Sequence, residues 1–412
     1  MSAHTRANTI PFLLRYLGRK AIRSSKPASL GDVGLFTGAP QHDTFPRIRD
    51  LVPTRSMPAA SRPFAWPAGP IVQLPMGYRF QGRTRSSAEF LVETDTAALL
   101  VIVDGAIRYE GYWLTGGPKV TWLSMSVAKS FVSCLVGIAL EEGLIGSVDQ
   151  PISDYVRVRP GSAYDGVSIE KVLQMSSGAR WNEDYNDPES DVHQISRAML
   201  GLGGGLDGYV ARMVRDTAPD TVCRYNSGET QVLGALLARA TGRTVADYMR
   251  EKLVEPLGFE SPGFWITDLR GTEMSYAGLN LTARDFAKLG ELYRNGGIWE
   301  GRRIVSEEWV RRSTSVSSPV REPGRPIVGD QPIDLGYGYQ WWLPGGTRGE
   351  FSAMGVLNQL VYVDPGTSTT IVKLSANRHY GTSHDEATNR DMENLEFLRA
   401  IAVHVSRTEA DA

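Results

Sequence analysis

The chain has 412 residues and a hydrophobic content of 42%, enough for a substantial core in one large domain or two smaller ones. Its formal net charge of -2 gives no electrostatic case for a nucleic-acid partner. Two cysteines, Cys134 and Cys223, are too few for a disulfide framework and stand in no metal-ligand spacing. They read as buried small hydrophobes, with a single bridge between them left open.

Near the N-terminus, apolar residues 10–14 precede Arg15, Arg19, Lys20 and Arg23, so the charges follow the apolar stretch. That order argues against a secretory signal and for a peripheral helix or a frayed arm. No apolar run approaches the roughly 20 residues of a membrane span, and the expectation is a cytoplasmic protein with no membrane partner. A basic helix lying on a membrane surface is the alternative for the N-terminus. Residues 1–75 are rich in Pro, Arg and Ser and read as an extended arm laid over a domain at 76–412.

Residues 97–103 and 107–113 are β-rich runs flanking Asp104-Gly105, which predicts a hairpin. The hairpin leads into Ser124-Met125-Ser126-Val127-Ala128-Lys129-Ser130, the start of a long apolar helix ending near Ala139. From 144 to about 276 the pattern is helical with many loops, including helical stretches at 167–175, 231–240 and 245–253. The glycine-dense stretch 201–208 lacks the Lys-Ser/Thr ending of a phosphate loop and reads as a flexible loop. A helix at 282–295 stops at Gly296-Gly297, strand-like runs follow at 337–343, 359–363 and 369–375, and 392–406 closes the chain as an amphipathic helix. Strands at both ends with helices between predict an α+β fold: an antiparallel sheet flanked by helices, with an inserted helical lobe at about 144–276 and a cleft between the two.

Ser126 and Lys129 form a Ser-x-x-Lys pair at a helix start, where residues three apart share a face. A serine hydroxyl needs a base to become a nucleophile, and a lysine with its pKa lowered by burial can serve. The helix N-terminus adds N–H groups and partial positive charge that favour an oxyanion. A second pair, Ser168 and Lys171, follows Asp165-Gly166-Val167 and precedes a short apolar helix, so Ser168 reads as an N-cap. Spacing alone does not separate the two serines.

The layout of a Ser-x-x-Lys helix after a hairpin, a helical insertion and a Tyr-containing turn resembles the penicillin-recognising serine hydrolases over roughly residues 80–405. Within that superfamily the chain is most similar to the 6-aminohexanoate-dimer hydrolases and class C-like esterases. The strings that carry the likeness are residues 123–130, Trp181-Asn182-Glu183-Asp184-Tyr185-Asn186-Asp187-Pro188, Arg224-Tyr225-Asn226-Ser227 and Leu281-Thr282-Ala283-Arg284-Asp285. The resemblance implies a β-lactamase/transpeptidase-like fold and assigns Tyr225 and Ser227 to the superfamily's second motif. Without that context Tyr225 reads as a core tyrosine with a satisfied hydroxyl.

The third motif, normally Lys-Thr-Gly or His-Thr-Gly on a strand, falls on Ala353-Met354-Gly355, where the glycine is kept and the cation is absent. The resemblance therefore implies catalysis by Ser126, Lys129 and Tyr225, with the N–H groups of Ser126 and Val356 as an oxyanion hole. It places Ser227, Tyr185, Glu183, Met354 and Gly355 at the substrate. A surface loop with solubilising acids is the other reading of Glu183 and Tyr185. Of Trp341 and Trp342, adjacent strand residues that face opposite sides, at most one can line a pocket. His379-Tyr380-Gly381 follows a predicted strand and reads as a loop.

The expected activity is hydrolysis of a small ester or amide through an acyl-enzyme, with no metal or organic cofactor. A β-lactamase or D-Ala-type peptidase, or a non-catalytic scaffold of the same fold, is the alternative. The sequence leaves a homodimer open.

Overall fold

Asp104 and Gly105 adopt φ values of 48° and 74°, the backbone that a two-residue hairpin turn requires. In the computed structural model, which describes residues 34–410, they join β1 (Thr96–Val103) to β2 (Ala106–Tyr112) as antiparallel neighbours. Expectations for residues 10–23 lie outside the described residues. The later strands β3 (Leu335–Tyr337), β4 (Trp342–Pro344), β5 (Phe351–Gly355), β6 (Gln359–Asp364) and β7 (Thr369–Ser375) complete a seven-stranded sheet. Its order is β3-β4-β5-β6-β7-β1-β2, with every neighbouring pair antiparallel.

The run expected as one strand over 337–343 is a hairpin. Gln340 takes a φ of 63° and the Gly338 N–H bonds the Trp341 carbonyl, so the chain reverses between β3 and β4.

All eight residues of β1 are buried because both faces of the sheet are covered. Leu100 and Ile102 join a core shared with α1 (Ala128–Glu141) and α3 (Ala283–Arg294), while Leu99, Val101 and Val103 pack with Leu398 and Ile401 of α4 (Asp391–Ala410). Between α1 and α3 lies the helical lobe, containing Ile169–Leu173, Asp191–Ala198, Gly205–Val210 and α2 (Ser227–Thr241). Helix α1 is buried from Ala128 to Ala139, which explains its lack of a polar face. Cys134 within it and Cys223 are both buried and unbridged.

The glycine stretch 201–208, expected as a loop, runs into a short helix at its end. Gly203, Gly204 and Gly205 hold positive φ values and turn the chain into the helix Gly205–Val210, whose Leu206 N–H is accepted by the Asp268 carboxylate at 3.0 Å. No helix among the described residues is long and apolar enough to cross a membrane.

A second, four-stranded antiparallel sheet takes strands from distant parts of the chain, in the order Thr54–Met57, Gly263–Ile266, Leu279–Leu281, Trp122–Leu123. The two-residue strand Trp122–Leu123, too short to leave a periodic signal, feeds directly into Ser124. Trp122 is pinned by its indole N–H to Gln359 Oε1 at 3.1 Å, and the Ser124 N–H bonds the Leu279 carbonyl at 2.8 Å. This sheet therefore fixes where the α1 N-terminus begins.

Candidate active site

Ser126 lies in a single 3-10 turn, Met125–Val127, that runs straight into α1. Met125 holds a φ of 45°, a left-handed conformation costing a bulky residue about 1–3 kcal/mol. The surrounding strand and helix impose it and turn the Ser126 side chain out of the core. Ser126 retains only 8% of its surface in the open, and one turn along, Lys129 is fully enclosed.

The Lys129 ammonium nitrogen donates to Ser227 Oγ at 3.1 Å and to the Tyr276 carbonyl at 3.0 Å. It also sits 5.2 Å from the centre of the Tyr225 ring and 5.4 Å from that of Tyr276. Burial pushes this amine down from 10.5 to about 7, with the Glu183 carboxylate pulling the other way. The Tyr225 phenol moves oppositely. Burial, then the Glu183 charge, holds it well above its ordinary value, and a hydrogen bond with Ser126 opposes the rise. Ser126, Lys129, Tyr225 and Ser227 are thus brought together, whereas Ser168 caps Ile169–Leu173 by accepting the Lys171 N–H.

Tyr225 and Ser227 flank Asn226, the N-cap of α2, whose side chain accepts the Gly228 N–H at 2.8 Å. The Tyr225 ring stacks on Trp342 at 5.1 Å, while Trp341 turns to the other side of the sheet against Tyr293 and Phe351. One tryptophan faces the site and one packs the core, as the strand alternation requires.

The loop through Glu183 owes its shape to alternation. Asn182 Oδ1 accepts the Asp184 N–H at 2.9 Å, and Asp184 Oδ1 accepts the Asn186 N–H at 2.8 Å. With these side chains folded onto the backbone, Glu183 and Tyr185 turn inward. Glu183 accepts from Ser227 Oγ at 2.8 Å, from the Tyr185 hydroxyl at 3.0 Å and from the Trp181 indole N–H. The carboxylate thereby closes a chain from Lys129 through Ser227 to Glu183.

On the opposite wall, β5 ends at Gly355 beside the Met125–Val127 turn. A Cβ at Gly355 would lie 2.7 Å from the Ser124 carbonyl oxygen and 2.9 Å from the Ser126 nitrogen, so only glycine lets these backbones approach. Val356 follows in the turn to β6, and Met354 is half-buried against the aromatic side of the sheet. Sequence reasoning missed the Tyr276 carbonyl, because a backbone acceptor has no sequence signature. It also missed Tyr380, whose hydroxyl donates to the half-buried Asp391 at 2.9 Å. Burial and the neighbouring Glu386 push the Asp391 carboxyl up to about 8.

The Beta-lactamase family profile matches residues 88–395. The chain belongs to that family. This β-lactamase-fold hydrolase is 32% identical over 338 residues to the 6-aminohexanoate-dimer hydrolase of Paenarthrobacter ureafaciens, covering 81% of this chain and 84% of that protein. Among solved structures, a Bacillus anthracis protein assigned as a 6-aminohexanoate-dimer hydrolase superposes with a TM-score of 0.77. It has 20% identity and covers 93% of this chain and 99% of the other. A family VIII carboxylesterase superposes at 0.57 with 16% identity, over 76% of this chain and 94% of its own. These two structural likenesses speak to the fold, which is the β-lactamase/transpeptidase-like α+β arrangement expected.

Proposed function

We propose that this protein cleaves small esters or amides through an acyl-enzyme on Ser126. The observation that carries the reading is the enclosed Lys129 amine, its pKa lowered to about 7, in one network with Tyr225 and Ser227 one helical turn from Ser126, which keeps a small opening to solvent. At neutral pH a large fraction of that amine is unprotonated and can act as a base. The phenol, held high, stays protonated and passes a proton rather than storing negative charge.

In the first half-reaction Ser126 Oγ attacks the carbonyl carbon while its proton moves into the Tyr225–Lys129 pair. The Ser126 and Val356 N–H groups receive the developing oxyanion, a role supported by the close approach of Gly355 to the Ser126 nitrogen. Collapse breaks the bond to the alcohol or amine, which leaves with that proton. Water then repeats the sequence on the acyl-enzyme, releasing the acid and restoring Ser126. Glu183 holds the Ser227 hydroxyl toward Lys129 and balances the charge the amine gains. Tyr185, Met354 and Gly355 form the surroundings of the acyl group. Ala353 stands where the third motif carries its cation and supplies none, so esters and linear amides are expected to outpace β-lactams.

Ser126→Ala should abolish turnover of p-nitrophenyl acetate, and intact-protein mass spectrometry should find no fluorophosphonate adduct. Wild-type protein should carry a single adduct at Ser126, and nitrocefin should turn over more slowly than the ester. An adduct elsewhere, or retained ester turnover in the alanine variant, overturns the assignment.

A further inference from the structure

The segment that precedes the family-matched region reaches the site. Leu35 is buried in the core, and the neighbouring Phe36 ring stacks on Tyr185 with centroids 4.3 Å apart and planes 23° from parallel. Tyr185 in turn hydrogen-bonds Glu183, which holds Ser227 of the lysine network. Phe36 also abuts a second loop at the site. A Cβ on Gly381 would lie 2.6 Å from Phe36 Cδ1, and the adjoining Tyr380 hydroxyl is anchored on Asp391. Phe36 is therefore wedged between the loop carrying Glu183 and Tyr185 and the loop carrying Tyr380.

Its backbone is held there against preference, with a φ of 61°, a conformation that a bulky aromatic residue rarely adopts. The turn is maintained by Gln41, whose side-chain amide donates to the Gly34 carbonyl at 2.7 Å, and by Thr37 Oγ1, which donates to the same oxygen at 2.8 Å.

We propose that Phe36 is a specificity-determining wall of the acyl site, and that it limits the site to short acyl groups. The inference rests on Ser126 being the acylated residue. Only 8% of Ser126 is open, so a long acyl chain must displace something at the mouth. Tyr185 is tied to Glu183, and Tyr380 to Asp391, by hydrogen bonds. Phe36 is held by ring stacking and packing on a strained turn, so it is the member of this wall whose side chain can be cut back without breaking a hydrogen bond.

The test uses the full-length chain with Phe36→Ala and Phe36→Leu, p-nitrophenyl acetate and octanoate, and fluorophosphonates with an ethyl or a dodecyl substituent. Phe36→Ala should raise the octanoate-to-acetate ratio of kcat/KM by about tenfold or more, with a parallel rise in the dodecyl-to-ethyl labelling ratio at Ser126. Phe36→Leu, which keeps the apolar bulk and drops the stack, should fall between wild type and alanine. It also carries the comparison should the alanine variant fail to fold. Unchanged ratios in a variant that melts like wild type overturn the role of Phe36 while leaving Ser126 as nucleophile. Absence of any label at Ser126 in wild type overturns the acyl-site reading, and the Phe36 proposal with it.

Discussion

A lysine amine that titrates near 10.5 in the unfolded chain and near 7 in the fold binds its proton less readily after folding. Between those values the unfolded state carries a proton that the native state lacks, so native stability rises with pH across that window. Below pH 7 both states are protonated, and burying the charge costs on the order of 5 kcal/mol, offset in part by the two hydrogen bonds Lys129 makes. Lys129→Met fills a similar volume without the charge and should remove ester turnover. It should also change the pH dependence of stability. In denaturant unfolding, wild type should gain on the methionine variant between pH 7 and 9.5, and a gap that stays constant would remove the depressed amine from the account. The same titration predicts that wild-type kcat/KM climbs as pH rises through about 7, as the neutral base accumulates.

At the scale of elements, the β5 end and the Ser126 turn meet through backbone atoms, and Gly355→Ala tests that contact. The added Cβ would fall within 3.0 Å of the Ser124 carbonyl and the Ser126 nitrogen, neither of which can move without shifting the turn. Loss of one aligned oxyanion donor is expected to lower kcat by about 10²–10³-fold, with kcat/KM falling in step. A variant with wild-type kcat would show that Val356 does not serve the oxyanion.

Elements governed by local chemistry were readable from the sequence: the Asp104-Gly105 hairpin, the helix at 282–295 with its Gly296-Gly297 stop, and the helix start carrying Ser126 and Lys129. Elements fixed by distant partners were not. The helix Gly205–Val210 depends on Asp268, and the two-residue strand Trp122–Leu123 exists only because Leu279–Leu281 pairs with it. The inward set of Glu183 and Tyr185 lies between the two. Alternating Asn182 and Asp184 encode the loop, but the partner it meets, Ser227, lies 44 residues further along the chain at the start of α2.

At the scale of the whole molecule, the Met125–Val127 turn that carries Ser126 depends on chain that lies well before it. Phe45 meets Trp122 edge-on at 5.4 Å, behind the strand that feeds Ser124. Thr54–Met57 forms the far edge of the same sheet. The Trp66 indole donates to the Arg284 carbonyl at 3.0 Å, and the Phe64 carbonyl accepts from the enclosed Lys288 at 3.1 Å. Phe45 and Met57 are each 1% exposed, and burying such side chains contributes about 1.5–3 kcal/mol apiece. Removing residues 1–75 would uncover Trp122, strip the edge from the small sheet and leave the Lys288 charge short of an acceptor. An arm that merely lies over a self-sufficient domain would come away at little cost. These contacts instead predict that a chain starting at residue 76 melts on the order of 10 °C lower than the full chain. Its turnover should fall more steeply than its folded fraction, because the uncovered Trp122 sets the position of Ser126. Equal melting temperatures and equal turnover per folded molecule would make the segment a separable arm.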